Sequence, residues 1–320
     1  MYDVVGIVTP NVDLLCHIDK LPESNESLEI TKNSWQGGGK VSTGIITAAR
    51  LGLETAIIGN LGNDIYGKYC MDDFKKHNVN VKNMIMEKNK STALCVVLSD
   101  SKTNGRNILY KKGNATLREL TSSDYNKISN SKYLHIAGCN HIYVDAVKYA
   151  RLHGTITVLD ADSYSPGLDE IMPYIDILIA SEFVYKHYFK NDCFENNLKQ
   201  FNQKGLDTVI FTFGSKGCVG RNNNGIFKIP AYKVKVYDTV GAGDVFHGAY
   251  IFGLCQNWDA EACAKFASAV SAIKCTKIGG RAGIPTVSMT EEFIKNGYID
   301  EYKLDERVKY YERGIENVRK

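Results

Sequence analysis

Short apolar, β-branched runs alternate along this chain with segments whose apolar residues recur at three- and four-residue spacing. The runs Asp3–Val8, Thr55–Ile58, Tyr133–Ile136, Thr155–Leu159, Ile175–Ala180 and Thr208–Thr212 predict strands. The segments Thr43–Leu51, Gly67–Lys76, Tyr143–Leu152 and Phe194–Gln203 predict helices. The strands carry few polar positions, as expected when helices cover both faces of a parallel sheet. The pattern predicts an α/β fold: a doubly wound, mostly parallel sheet between two helical layers.

Two regions break the alternation. Ser27–Lys32 alternates apolar and polar residues with period two, and Ala93–Leu98 and Asn107–Lys111 predict a strand pair joined by a turn through Asp100–Arg106. Strands of this kind need one wet face, so they predict a small β-sheet outside the core, a candidate lid. On this reading residues 11–35 and 91–112 form the lid, and residues 1–10, 36–90 and 113–320 form the core. The charged end of the chain, Glu291–Asn296 and Tyr302–Asn317, reads as helix, packed or partly solvated.

Composition narrows the function. With 320 residues and 44% hydrophobic content, a large core can be buried without disulfides or structural metals. A net charge of +3 is too weak to imply nucleic acid and leaves an anionic substrate open. Apolar runs such as Ile175–Ala180 are far too short to span a membrane. The start, Met1–Val8, has no basic region and reads as a buried strand, not a signal peptide. Nine cysteines without a C-x-x-C pair suggest reduced thiols in the cytoplasm, and no Cys/His cluster has zinc-ligand spacing.

The chemistry concentrates at a glycine-rich turn. Tyr232–Tyr237 alternates like a strand, Gly241-Ala242-Gly243 follows, and Asp244–Cys255 reads as an apolar helix. The first peptide N–H groups of a helix lack partners and its dipole is positive there, so anions bind. A carboxylate at that place, Asp244, would take a proton from an attacking hydroxyl. The plain alternative is that Asp244 only caps the helix. A dinucleotide site would need a third glycine at position 246, where Phe246 stands, and no G-x-x-x-x-G-K-[ST] loop exists. Other loops join the turn at the carboxyl ends of predicted strands, where parallel sheets bind ligands. They are Asn11 and Asp13, Gln36-Gly-Gly-Gly39-Lys40, Asp160 and Asp162, and Thr212–Gly217.

At these residues the chain resembles the ribokinase-like (PfkB) carbohydrate kinases, over roughly residues 1–286. Asp238-Thr-Val-Gly-Ala-Gly-Asp-Val-Phe-His-Gly248 carries the resemblance most strongly. Gly37-Gly-Gly-Lys40 with Ala48-Ala-Arg-Leu-Gly52, Gly59–Asp64 with Gly67, and Thr212–Gly217 support it. The resemblance implies an ATP-dependent sugar kinase in which Asp244 is the catalytic base and the backbone of Gly241, Ala242 and Gly243 forms the anion hole. It implies sugar contacts from Asp13, Gly38 and Gly39 with Asn11 nearby, and an ATP site lined by Ser181, Thr212, Gly214, Ser215 and Gly217. Mg2+ would bridge the phosphates, and K+ would bind through Asp238 and Val240.

The chain departs from the family pattern in two places. Thr43 stands where a sugar-binding Asn is usual, so recognition must differ. In Ser181-Glu-Phe-Val184 the usual metal-organising Glu is Val184, which leaves Glu182 or Asp160 to help hold magnesium. Both departures resemble the sulfofructose kinase and ketohexokinase-like branch, as does Phe266–Pro285, and so suggest a ketose-type acceptor. Lys40 and Arg106 are candidates for an anionic substituent on the sugar. His247, one helical turn beyond Asp244, reads as a packed core residue. The alternatives are a nucleoside or sugar-phosphate kinase, or an inactive sugar-binding sensor. An open lid edge would favour a homodimer.

Overall fold

The computed structural model describes residues 1–100, 105–201, 205–312 and 314–315. In chain order its first half runs β1 (Tyr2–Val8), β2 (Asn11–Ile18), β3 (Lys32–Gly38), α1 (Lys40–Arg50), β4 (Thr55–Gly62), α2 (Ile65–Lys76), β5 (Asn80–Glu87), β6 (Ala93–Asp100), β7 (Arg106–Lys111), α3 (Ser122–Ser129), β8 (Ser131–Ile136) and α4 (His141–Leu152). Then come β9 (Ile156–Ala161), α5 (Pro166–Ile171), β10 (Ile177–Ser181), α6 (Glu182–Tyr188), α7 (Phe194–Lys199), β11 (Thr208–Thr212), β12 (Cys218–Asn222) and β13 (Gly225–Ile229). The chain closes with α8 (Ala242–Cys255), α9 (Ala260–Lys274), α10 (Val287–Asn296) and α11 (Glu301–Glu312).

The main sheet has the order β13-β12-β11-β10-β9-β8-β1-β4-β5. From β11 to β5 every pairing is parallel, and β12 and β13 add an antiparallel hairpin. Alternate residues of each strand enter different cores. Val4, Val8 and Ile57 pack with α1, α2, α8 and α9, whereas Val5, Ile7 and Ile58 pack with α3 to α7. The chain winds outward from β1 to β5, then returns to β8 and winds the other way. The crevice beyond β1 and β8 is therefore the switch point where such sheets take ligands.

The second sheet has the order β3-β2-β6-β7. One face buries Leu15 and Val97 against Ile278, Ala282 and the α11 residues Val308 and Tyr311. The charged C-terminal helix thus packs under the lid. The lid also borrows residues 36–38, placed with the core by sequence, because β3 runs through to Gly38. β7 forms an open edge, exposed at every residue.

Two predicted strands are absent. Of the predicted Ser27–Lys32, only Lys32 belongs to a strand, β3, although Thr31 N already donates to the His17 carbonyl at 2.9 Å. Tyr232–Tyr237 half-buries alternate residues, Tyr232 and Val234, against Phe293, yet it is not a strand. Alternation reports one wet face and one dry one, and a ladder needs a neighbour as well. β2, β5 and the β12–β13 hairpin went unread. Three of the predicted helices start two or three residues earlier than predicted, α1 at Lys40, α2 at Ile65 and α4 at His141. Asp64 caps α2 by accepting from Gly67 N, and Asn140 caps α4 by accepting from Ile142 N. The predicted helix Phe194–Gln203 stops at Lys199, and Gln203 lies outside the described residues. So do 101–104 of the predicted turn, and 313 and 316–317 of the last predicted helix.

α8 reaches the switch point by crossing α1 without side chains between them. A Cβ on Gly248 would lie 2.1 Å from the Gly44 carbonyl oxygen. Gly248→Ala is expected to cost about 1–3 kcal/mol by forcing the helices apart. Because α8 also carries Asp244, turnover should fall together with stability, and denaturant unfolding paired with rate measurements checks both.

Candidate active site

Gly241 is the N-cap of α8 at φ 73, in the left-handed region, and no side chain caps the helix. A Cβ there would lie 2.7 Å from Gly280 Cα, so both the dihedral and the space call for glycine. Ala242, Gly243 and Asp244 form the first helical turn, whose N–H groups have no partner further back in the helix. A Cβ on Gly243 would meet nothing within 4 Å, so the mouth of this cradle is open. Asp244 stands third in the turn and does not cap it.

The turn is clamped from behind. Ser271 Oγ donates to the Ala242 carbonyl at 2.9 Å, and a His247 ring nitrogen, Nδ1, lies 2.8 Å from the Gly243 carbonyl. The Asp238 carboxylate accepts from Val240 N and Gly279 N, both at 2.8 Å. Lys274 Nζ donates to the Asp238 carbonyl at 2.8 Å. The Asp238 oxygens expected to hold a monovalent cation thus already accept from the protein's own donors, Lys274 among them.

Carboxylates crowd Asp244. Burial, then the charges of Asp160 and Asp162, raise its pKa to about 7, against smaller downward pulls from His247 and Lys40. Asp160 ends β9, is buried, and has no hydrogen-bond partner on either oxygen among the described residues. Burial raises its pKa too. His247 Nε2 lies 3.7 Å from its Oδ1. Lys40 bridges to Asp162 at 2.7 Å. Burial works against its charge, but Asp160 and Asp162 outweigh that and hold its pKa above the usual value. His247 is packed, as expected, and stacks on His135, whose pKa burial drives down to about 3. The magnesium expectation divides here. Glu182 pairs with Lys186 at 2.6 Å and Val184 is buried, while the Asp160 carboxylate is unspent.

The opposite side of the crevice is made by β2 and β3. Asn11 and Gly38 are ladder partners. Asn11 Nδ2 donates to Asp13 Oδ1 and to Cys95 Sγ at 3.4 Å. A Cβ on Gly38 would lie 2.4 Å from Asp13 Oδ2, so the carboxylate lies directly over that glycine. Burial raises the Asp13 pKa to about 6, and Arg281 and Asn11 limit the rise. Gly39, at φ 96, caps α1, and Lys40 opens that helix. Thr43 is buried, and its hydroxyl lies 3.5 Å from Arg281 Nε, at the limit of a hydrogen bond. Arg106 does not join this group. It pairs with Ser99, four residues along β6 from the Cys95 that faces Asp13, and its guanidinium donates to Thr239 Oγ1 at 3.0 Å.

Further along the sheet edge Ser181 and Thr212 are neighbours across β10 and β11. Ser181 is committed to protein, donating to the Asp162 carbonyl and capping α6 through Phe183 N. Gly214 and Ser215 are exposed on one turn of 3-10 helix. Gly217 closes that loop at φ 87, where a Cβ would lie 2.0 Å from the Ile229 carbonyl oxygen.

Arg281, fully buried, went unread in the sequence. Its guanidinium pairs with Asp73 and donates to the Gly38 carbonyl at 3.0 Å, and its backbone N–H donates to Gln36 Oε1 at 2.7 Å. Tyr311 OH donates to the other Asp73 oxygen at 2.9 Å. Lys274 and Ser271 were also missed. A signal existed: Lys274 and Arg281 are charges set in a small-residue, apolar stretch, where a buried charge demands a partner.

With this geometry in hand, the family model described as pfkB family carbohydrate kinase matches residues 2–287. The chain belongs to the pfkB family of carbohydrate kinases. The kinase is thus a phosphotransferase with an alcohol group as acceptor. It is 26% identical over 303 residues to a ribokinase of Lactococcus lactis, covering 93% of this chain and 98% of that protein. It is equally 26% identical over 282 residues to a 5-dehydro-2-deoxygluconokinase of Clostridium perfringens, covering 81% and 83%. A ribokinase II structure from Escherichia coli, in complex with ATP and Mg2+, matches its fold with a TM-score of 0.80 at 22% identity, covering 92% and 99%. Among the described residues no helix of the kinase is long and apolar enough to cross a membrane.

Three outcomes follow for the kinase. A base with a pKa of about 7 works only when deprotonated, so kcat/KM should fall about tenfold per pH unit below that value. Asp160→Asn removes a like charge and should move this limb to lower pH, as a pH–rate profile would record. Arg281→Met leaves Asp73 buried and unpaired, which should cost about 3–5 kcal/mol in denaturant unfolding.

Proposed function

We propose that the kinase transfers the γ-phosphoryl group of ATP to a hydroxyl of a small sugar, with Asp244 as general base. The observation that carries this reading is a carboxylate of pKa about 7 in the first turn of α8, beside the open mouth of that turn, where Ala242 N donates back to the Thr239 carbonyl at 3.2 Å and a Cβ on Gly243 would meet nothing within 4 Å. The backbone of Gly241, Ala242 and Gly243 would neutralise charge developing on the transferring phosphoryl oxygens. Asp244 would accept the proton of the attacking hydroxyl. Asp13 and Asn11 would fix the sugar through neighbouring hydroxyls, with Gly38 and Gly39 at its edge. Thr212, Gly214, Ser215 and Gly217 would line the nucleotide.

Mg2+, when bound with the nucleotide, supplies positive charge at the phosphate oxygens. Asp160 suits it as a hard oxygen ligand left unspent by the protein. K+ is not part of this reading, given the partners of Asp238. Lys40 and Arg106 both hold protein partners, Asp162 and Thr239, so no observation favours an anionic acceptor over a neutral ketose or aldose. The two named relatives phosphorylate different acceptors by name, so family membership leaves the sugar open.

The exposed β7 edge, with Ile108, Leu109 and Tyr110 at 52%, 60% and 62% exposure, supports pairing with the lid of a second copy. Free thiols at every described cysteine fit a reducing compartment such as the cytoplasm.

Asp244→Asn should lower kcat about 100- to 10,000-fold while calorimetry still records nucleotide binding. A near-normal rate in that variant refutes the mechanism. ADP release across ketoses, aldoses, sugar acids, nucleosides and sugar phosphates should identify the acceptor. Sugar binding without ADP release from any of them would favour an inactive sensor.

A further inference from the structure

The last turn of α9 holds a charge that the proposed reaction does not yet use. Lys274 is 0% exposed, and its Nζ donates to the Asp238 carbonyl at 2.8 Å. A buried ammonium is costly unless its surroundings compensate it, and a single carbonyl is a modest return. A lysine at a helix C-terminus does gain from the dipole, but that gain needs no contact with another segment. Here the contact is specific. Asp238 opens the turn that becomes the anion hole, and Ser271, one helical turn earlier on α9, donates to the Ala242 carbonyl inside the hole. Two side chains three residues apart on one helix thus grip both ends of the same turn.

We propose that the Lys274 ammonium is a built-in cation beside the anion hole, standing where a monovalent metal ion would otherwise sit. The inference rests on the kinase reading above. A monovalent ion replaces its hydration shell with several free oxygens. The Asp238 carbonyl already accepts from Lys274, and the two carboxylate oxygens accept from Val240 N and Gly279 N. A second positive charge at that carbonyl would face the ammonium at short range in a dry site, where like charges repel strongly. The ammonium keeps the backbone of the turn in place and adds positive potential behind the N–H groups that receive the phosphoryl oxygens. It is a positioning residue, since it acts through Asp238 and does not touch the reacting atoms.

The test exchanges choline for K+, Na+ or NH4+ at constant ionic strength and follows both kcat and Tm. In the wild-type kinase neither should respond, since an ion bound only to the folded state would raise Tm. Lys274→Met should lower kcat roughly 100- to 1,000-fold with the sugar KM little changed. Lys274→Ala, which vacates the space, should become K+-responsive: K+ or methylammonium restores part of kcat, and K+ raises Tm. Wild-type activation by K+ with a rise in Tm overturns the proposal, as does a Lys274→Met enzyme with normal kcat. If neither variant folds, the two wild-type titrations decide. If the wild type turns over no sugar at all, the kinase reading fails, and the Tm titration still tests the ion site separately.

Discussion

One buried ion pair ties the molecule together. Arg281 and Asp73 meet below the crevice, and every group around them comes from a different part of the chain. Asp73 belongs to α2, Gly38 and Gln36 to the lid strand β3, Tyr311 to the C-terminal helix, and Arg281 to the loop after α9. An ion pair out of water contributes little net stability unless its remaining donors and acceptors are satisfied. Here the guanidinium also serves the Gly38 carbonyl, and the carboxylate also accepts from Tyr311. The network holds the Gly38 carbonyl and so fixes the glycine loop that lies under Asp13.

The phosphoryl side follows a different logic. Three carboxylates, Asp160, Asp162 and Asp244, share a small volume with Lys40 and His247. Burial first, and then repulsion from Asp160 and Asp162, raises the pKa of Asp244. Asp160 keeps an unsatisfied buried carboxylate, which few folded proteins tolerate without a function. Positive charge arriving with the nucleotide would relieve both. On the proposed reading, the cradle on α8 would complement this arrangement with the N–H groups of its first turn.

The lid is not a detached flap. Its inner face is packed on Ile278, Ala282 and α11, so its attachment runs through the same loop that carries Arg281. Movement of the lid would therefore be felt at Gly38 and at the loop behind the anion hole. The open β7 edge lies on the far margin of this sheet, away from that anchorage.

The amino-acid sequence by itself determined the parallel core, the glycine turn and Asp244, because these depend on local rules. Strands covered on both faces are continuously apolar, and an anion cradle needs small residues at the start of a helix. Sequence also marked Asp13 and Gly38, which the β2–β3 ladder brings diagonally together, the Asp13 carboxylate lying over the glycine. Its errors came where a partner decides the outcome. Tyr232–Tyr237 has a strand's alternation but forms no strand, and Ser27–Thr31 likewise. Only the tertiary structure decided that Glu182 is spent on Lys186 while Asp160 is not, and that Arg281 and Lys274 are buried beneath the site. Those roles arise from contacts between residues up to about two hundred and forty positions apart, and the free energy of a buried charge depends on which groups surround it in space.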